Sequence, residues 1–413
     1  MSKSRKRWII VLFVVIGLCL FGFLAFRSWP AVGSSLADPM RDLLGIERVA
    51  RLETFLFNIQ DRISRWKYSA GLEEAAVPWS VESLSISPDQ TVEPNPVPPT
   101  ETAPPLADMS TKEPSNVEEL SPTATLRLTP TPSAWTLPNL ETLGSLPNEG
   151  IWQPYITNPD GEVVAVRTFL QPDPERPYSI VAVVAFDLSQ TRLNFVLGLE
   201  EPGKPGGPHG YGVILDEDKQ PGKLLAAFNG GFIAEHGQYG AMANGVVPLA
   251  ARAGLATLGI YKDGRVRIGE WKNDLSQNDD YVAWRQNALM IIHNGETNPK
   301  VETGTYIEWG ANLDGSIVTI RSAVGLSEDN QVLFYFAGPS LSMPTLADAM
   351  KQSGVYNGML LDINPTHAHF TTFALKNSKL TAEPLFPEEM NIWVDRYLGQ
   401  WDQDFFYLTT KSP

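Results

Sequence analysis

The chain has 413 residues, 33 prolines, a single cysteine and a formal net charge of −15. That length exceeds one ordinary core and implies two or three regions. The acidic balance, 30 acidic against 19 basic residues over Ile151–Pro413, argues against a nucleic acid partner, and with no cysteine after Cys19 the rest of the chain can hold neither a disulfide nor a thiolate site.

Residues 1–30 read as a membrane anchor. Lys3, Arg5, Lys6 and Arg7 precede Trp8–Phe26, 19 residues without a charge, which at about 1.5 Å per helical residue nearly spans a hydrocarbon core. The basic cluster stays inside, so the pattern predicts a single-pass cell-membrane protein with everything downstream extracytoplasmic. Ser35-Leu36-Ala37 offers the alternative of a cleaved signal. Cys19 lies within the apolar run and follows Leu18, not the small residue of a lipoprotein signal, and reads as a membrane-buried side chain.

Residues 31–77 contain one amphipathic helix. Val49, Leu52, Leu56, Ile59, Ile63 and Trp66 recur at alternating steps of three and four, a narrow apolar stripe. Two readings stand: residues 49–66 pair two copies into a homodimer, or the helix lies on the membrane or on the domain. Residues 78–150 form a Pro/Thr/Ser/Glu-rich linker. Pro78–Pro147 has 14 prolines and one glycine, Gly144, a composition that buries too little apolar surface to fold. The expectation is a disordered tether holding the working domain away from the bilayer.

Residues 151–413 change character. Short alternating or β-branched runs at Val163–Leu170, Ser179–Leu188, Leu193–Leu199, Leu224–Phe228, Ala256–Tyr261, Ala288–Ile292, Ile317–Leu326, Val332–Ala337 and Met359–Asp362 are separated by Pro and Gly clusters. Helical periodicity is clear only around Leu346, Ala349 and Met350, with Ser342 or Thr345 as cap and Ser353-Gly354 as stop. These runs predict an α+β domain, dominated by a mixed or antiparallel sheet and poor in helices.

Three segments of this domain can carry chemistry. Asn229-Gly230-Gly231 closes an apolar strand, and two glycines let consecutive amides turn towards one anion; the alternative is an ordinary tight turn. Asp362 ends the run Gly358–Leu361, where a carboxylate is either a paired structural group or a site residue. His367 and His369, two apart, project to one face of an extended chain. With Asp362 they match a two-histidine, one-carboxylate set for a divalent metal ion, against the reading of two solvated imidazoles. Arg321 stands in the otherwise apolar Ile320–Gly325, and needs an anion: Asp362 as a structural pair, or a ligand phosphate.

In this order the segments resemble the phosphodiester glycosidase family over roughly Ser179–Phe373. Asn229–Ile233 is similar to its Asn-Gly-Gly-Phe-Phe element, Asn244-Gly245 to a later Asn-Gly before a strand, Gln286–Gly295 to its Gln-led strand and turn, Arg321–Gly325 to its Arg-Thr-Ala-apolar-Gly, and Thr345–Met350 to its Thr-Leu helix. Where the family has Leu-Asp-Gly-Gly-Gly-Ser this chain has Leu361-Asp362-Ile363-Asn364-Pro365-Thr366, keeping the aspartate and losing the glycines. The resemblance implies hydrolysis of a sugar-1-phosphodiester in an envelope glycan. In it Gly230, Gly231 and Arg321 hold phosphate, Asp362 serves as nucleophile or base, and Asn229 orients substrate or water. Asn244 and Asn364 contact substrate, and His367 or His236 assists. Two alternatives are a degenerate glycan-binding module and a tethered envelope assembly protein.

Overall fold

The computed structural model describes residues 46–77, 79, 135–309, 317–376 and 379–411. The apolar run Trp8–Phe26 falls outside them, and among the described residues no helix is long and apolar enough to cross a membrane.

The described residues build three sheets. The largest has eight strands: β1 (Gln153–Thr157), β2 (Val163–Leu170), β3 (Val181–Asp187), β11 (Met290–His293), β12 (Glu296–Thr297), β13 (Thr319–Leu326), β14 (Val332–Leu341) and β15 (Asn357–Leu360), in the order β1-β2-β3-β14-β13-β15-β11-β12. The second runs β17 (Lys379–Pro384), β16 (Phe370–Lys376), β5 (Leu224–Asn229), β18 (Phe405–Thr410), β4 (Thr191–Val196). The third runs β7 (Val246–Leu249), β6 (Ala241–Ala243), β10 (Tyr281–Asn287), β8 (Ala256–Tyr261), β9 (Val266–Glu270). Every ladder among these strands is antiparallel, so of the two sheet types expected the antiparallel one holds.

Among the described residues the helices are few: α1 (Ile46–Ser69), two single turns α2 (Lys300–Thr303) and α3 (Tyr306–Trp309), and α4 (Met343–Gln352). Ser342 caps α4, its side chain accepting from the Thr345 amide, and Gly354 at φ +83° follows its end. Leu346, Ala347, Ala349 and Met350 of α4 pack on Ala323, Phe334 and Phe336 of the large sheet. Because side chains alternate along a strand, Ser322 and Tyr335 face the other way. There Phe186 and Tyr335 meet Phe228 and Phe370 of the second sheet, with ring centroids 4.9 to 6.3 Å apart. This aromatic layer joins the two sheets, and the site lies at its rim.

Helix α1 docks on the domain by the face that carries Phe57, Asp61 and Tyr68, and of its heptad stripe Val49 is buried as well. Asp61 is buried, accepting two bonds from Arg176 (2.7 and 2.9 Å) and one from Tyr178 (3.3 Å), while Tyr68 packs on Tyr178. Phe57 packs against the main core. Leu52, Phe55 and Trp66 are left exposed. The proline-based assignment of residues 78–150 to a linker is redrawn at both ends. Trp79 is buried against Phe169 and stacks on Arg167. Trp135, Leu137 and Leu140 pack on the main core, and Glu149 accepts three amides, from Leu143, Gly144 and Gln171. Residues on both sides of segment 81–134 belong to one compact unit.

Candidate active site

Strand β5 ends at Asn229, β15 leads into Leu361-Asp362, and β18 begins just after Asp404; β5 and β18 pair antiparallel with Asn229 opposite Phe405. Three strand ends therefore meet at one rim. The Gly230 amide donates to the Asp404 carbonyl and the Asp362 amide to the Gly230 carbonyl, each at 3.0 Å, so this backbone holds Asp362 beside the glycine turn.

Asn229 is buried at the junction. Its Nδ2 donates to the Gly230 carbonyl and to Ser322 Oγ, both 3.0 Å, while Oδ1 accepts from Tyr335 and from the His369 amide, both 3.1 Å. All four capacities of the amide are used inside the protein. Asn229 thus fastens both sheets, and the expectation that it orients substrate is corrected.

The glycines are explained by a close approach, but not to an external anion. A Cβ on Gly230 would overlap the Asp404 carboxylate, and one on Gly231 would sit 2.9 Å from Arg285 Cζ. The Gly231 amide donates to Asp404 Oδ2 (3.2 Å) and the Phe232 amide to Asn287 Oδ1 (3.3 Å). The anion the nest receives is Asp404. Arg285 neutralises that carboxylate, with Nε to Oδ2 at 2.8 Å, and donates further to the carbonyls of Phe232, Tyr239 and Gln286. Both partners are fully buried. Glu201 stands nearby, accepting the Ala234 amide at 2.7 Å. Burial raises its carboxyl above the usual range, with Asp404 adding repulsion and the Ala234 and Gly203 amides opposing.

The solvent-facing chemistry lies on the other side of the turn. His367 Nδ1 is 3.2 Å from Asp362 Oδ2, and its Nε2 is 2.8 Å from Gln403 Nε2. With an amide nitrogen facing Nε2, the neutral ring carries its proton on Nδ1 and donates it to Asp362. Asp362 is buried and its Oδ1 accepts the Asn364 amide at 2.9 Å, whereas His367 is partly exposed. In this arrangement the buried carboxylate, with one partner on each oxygen, orients the imidazole.

Asn364 makes the turn that presents His367. Its Oδ1 accepts the amide and hydroxyl of Thr366 (3.0 and 2.9 Å), and its carbonyl accepts the amides of His367 and Ala368. This turn breaks the extended geometry that would put His367 and His369 on one face. His369 points into the core, with Nε2 on the Met390 carbonyl at 3.0 Å and its ring edge-on to Tyr397. Burial, reinforced by Arg396, lowers its pKa to about 3. The expected metal set of Asp362, His367 and His369 is therefore not assembled. Among the described residues, the His and carboxylate group whose ligand atoms lie within 4.8 Å of one another is Glu270, Asp274 and His293. Its atoms are held by a turn: Asp274 Oδ2 accepts the Glu270 amide and pairs with His293 Nε2.

Arg321 is also relocated. It lies on the α4 side of the sheet, opposite Ser322, and donates to the carbonyls of Leu341 and Ile317, both 2.8 Å. Asn244 and Gly245, at φ 50° and 82°, form the exposed β6–β7 hairpin turn, and His236 sits in the short 3-10 turn Ala234–His236. Asn229, Gly230, Asp362, Asn364 and His367 do converge. Arg285, Gln403 and Asp404 were not foreseen, although Arg285 carries the same signal as Arg321, a guanidinium within a strand.

An antiparallel sandwich with a buried carboxylate orienting a half-open histidine at its strand ends has the makings of a hydrolase site. Residues 222–362 match the family model described as phosphodiester glycosidase. The match ends at Asp362, just before the segment that lost its glycines. No curated protein matches. Among solved structures, the chain is similar to the zebrafish N-acetylglucosamine-1-phosphodiester alpha-N-acetylglucosaminidase catalytic domain, auto-inhibited by its pro-peptide (17% identity, 66% of this chain and 87% of that one, TM-score 0.38). A hypothetical protein from Synechocystis is similar at 7% identity (63% and 64% coverage, TM-score 0.37).

Proposed function

We propose that this chain is a membrane-tethered, extracytoplasmic hydrolase that cleaves a sugar-1-phosphodiester in an envelope glycan or related glycoconjugate. The observation that carries the reading is the Asp362–His367–Gln403 relay, built at the strand ends of a phosphodiester glycosidase domain. In the reaction water adds to the anomeric carbon as its bond to the phosphate oxygen breaks, giving a free sugar and a phosphomonoester. The phosphomonoester that leaves is only weakly basic, so the demand falls on activating water. Neutral His367 is the base for that proton once Gln403 yields Nε2, and Asp362 stabilises the imidazolium that forms.

A second reading, glycan binding without cleavage, draws support from one observation: the groups expected to hold phosphate are committed inside the protein, Arg321 to carbonyls and the Gly231 amide to Asp404. The two readings separate when the full chain is incubated with a panel of sugar phosphodiesters. Free sugar released together with an equal amount of phosphomonoester supports hydrolysis. Saturable binding without release assigns the second reading, and neither result removes both. Pairing of two copies through residues 49–66 remains part of the proposal, supported by the outward Leu52, Phe55 and Trp66.

A further inference from the structure

Beside the Asp362–His367 pair the chain builds an aromatic corner that the chemistry above does not use. Trp393 is 53% exposed and holds φ +50°, a conformation a bulky side chain adopts only against strain. The Trp401 ring lies 5.9 Å from it, tilted by 57°. Arg396 stands against both indoles, its Cζ 5.9 Å from the Trp393 centroid and 4.9 Å from that of Trp401. That guanidinium is buried and donates to three carbonyls, those of Trp393 (2.9 Å), Ile392 (2.5 Å) and Thr366 (2.6 Å). Arg396 therefore clamps the strained tryptophan turn to the loop that presents His367. Two residues beyond Trp401 comes Gln403, the partner of His367 Nε2. The Trp401 amide donates to the Gly212 carbonyl, beside the exposed Tyr211.

We propose that Trp393 and Trp401 form a sugar-stacking subsite that receives the apolar face of a pyranose ring in the glycan acted on at His367; the proposal rests on the hydrolase reading for the identity of that glycan. A pyranose with equatorial hydroxyls presents a face of C–H bonds, which packs on the electron-rich face of an indole while the hydroxyl rim stays in water. Tryptophan supplies this area with only two side-chain torsions to immobilise. An anchored backbone and a strained φ keep the indole turned outward, where a relaxed turn would let it fold onto the protein.

The full chain, in a detergent without a sugar headgroup, is titrated with cellotetraose, whose rings carry only equatorial hydroxyls, and followed by saturation-transfer NMR and tryptophan fluorescence. The expected result is saturable binding, weakened at least tenfold by Trp393→Gly. Glycine relieves the left-handed φ but gives up the contacts with Trp401 and Arg396, so the urea midpoint of the variant is measured alongside, and lost binding counts for the proposal where that midpoint matches the parent's. Equal affinity of Trp393→Gly and parent, or no saturable binding by the parent, overturns the proposal. Turnover of sugar phosphodiesters separates the two ideas. Binding that depends on Trp393 without any turnover leaves the subsite standing and removes hydrolysis, whereas turnover with an unchanged KM in Trp393→Gly does the reverse.

Discussion

Asp404 and Arg285, 119 residues apart in sequence, close a fully buried ion pair at 2.8 Å directly beside the Gly230–Gly231 turn. Removing one partner leaves a buried charge uncompensated, so Asp404→Asn is expected to cost about 3–5 kcal/mol of stability, read as a lower urea midpoint. The double change Arg285→Met with Asp404→Leu removes both charges and recovers part of that loss. A midpoint unchanged in Asp404→Asn contradicts the role given to the pair.

The glycines rank by what surrounds them. Gly230→Ala drives a methyl into the Asp404 carboxylate and is expected to cost roughly 3 kcal/mol, the upper end for overpacking. Gly245→Ala has open space and only a φ of 82° to contend with, which costs roughly 1 kcal/mol. Urea denaturation of the two variants checks the order, and equal losses count against a close-approach role for Gly230.

Much of this was legible in the sequence, for physical reasons that also mark where reading stops. Strand β8 occupies the predicted Ala256–Tyr261, because an unbroken apolar run bounded by turn residues has few other fates. Strand β10 was missed because Arg285, Gln286 and Asn287 interrupt its pattern while being fully buried, their polarity satisfied by partners distant in sequence. For Arg321 the demand for acceptors was right, but strand register decides which face a side chain takes, and Ser322 holds the site face. The two-residue spacing of His367 and His369 implied a shared face only for an extended chain, and the Asn364 turn removes that condition. Of the three groups expected to share one cleft, Gly230 and Asp362 meet at the strand ends, while Arg321 takes the opposite face of its strand.

Acid weakens the fold through His369. Its pKa is about 3 in the folded protein against an ordinary 6.5, so the unfolded chain binds the proton more readily between those values. Stability is full above pH 6.5 and falls with pH by up to about 1.4 kcal/mol per unit within that window. Asp61 acts later. Burial alone would raise its carboxyl, but the bonds and charge of Arg176, aided by Arg65 and Tyr178, outweigh burial and hold it below 3.8. Its contribution is present above about pH 4 and is lost only as pH falls through the folded value. Urea midpoints of parent and His369→Gln between pH 7 and 5 test this, with a flatter slope expected for the variant and identical slopes contradicting it.

Docking of α1 and Trp79 on the same unit as Trp135 and its neighbours has a consequence for the proline-rich segment. Proteolytic nicking within residues 81–134 is expected to leave the two fragments associated during native gel filtration and to separate them only on denaturation. Asp61→Ala, which strands Arg176 without its bidentate partner, is expected to release the amino-terminal fragment more readily. Spontaneous separation of the nicked parent contradicts the docked arrangement.

The relay at the strand ends is tested most directly by the kcat for sugar release from a phosphodiester substrate, compared between parent and His367→Gln. If His367, oriented by Asp362, takes the proton of the attacking water, kcat falls by about 10²–10⁴ with the fold intact. A kcat for His367→Gln within about twofold of the parent would contradict the account.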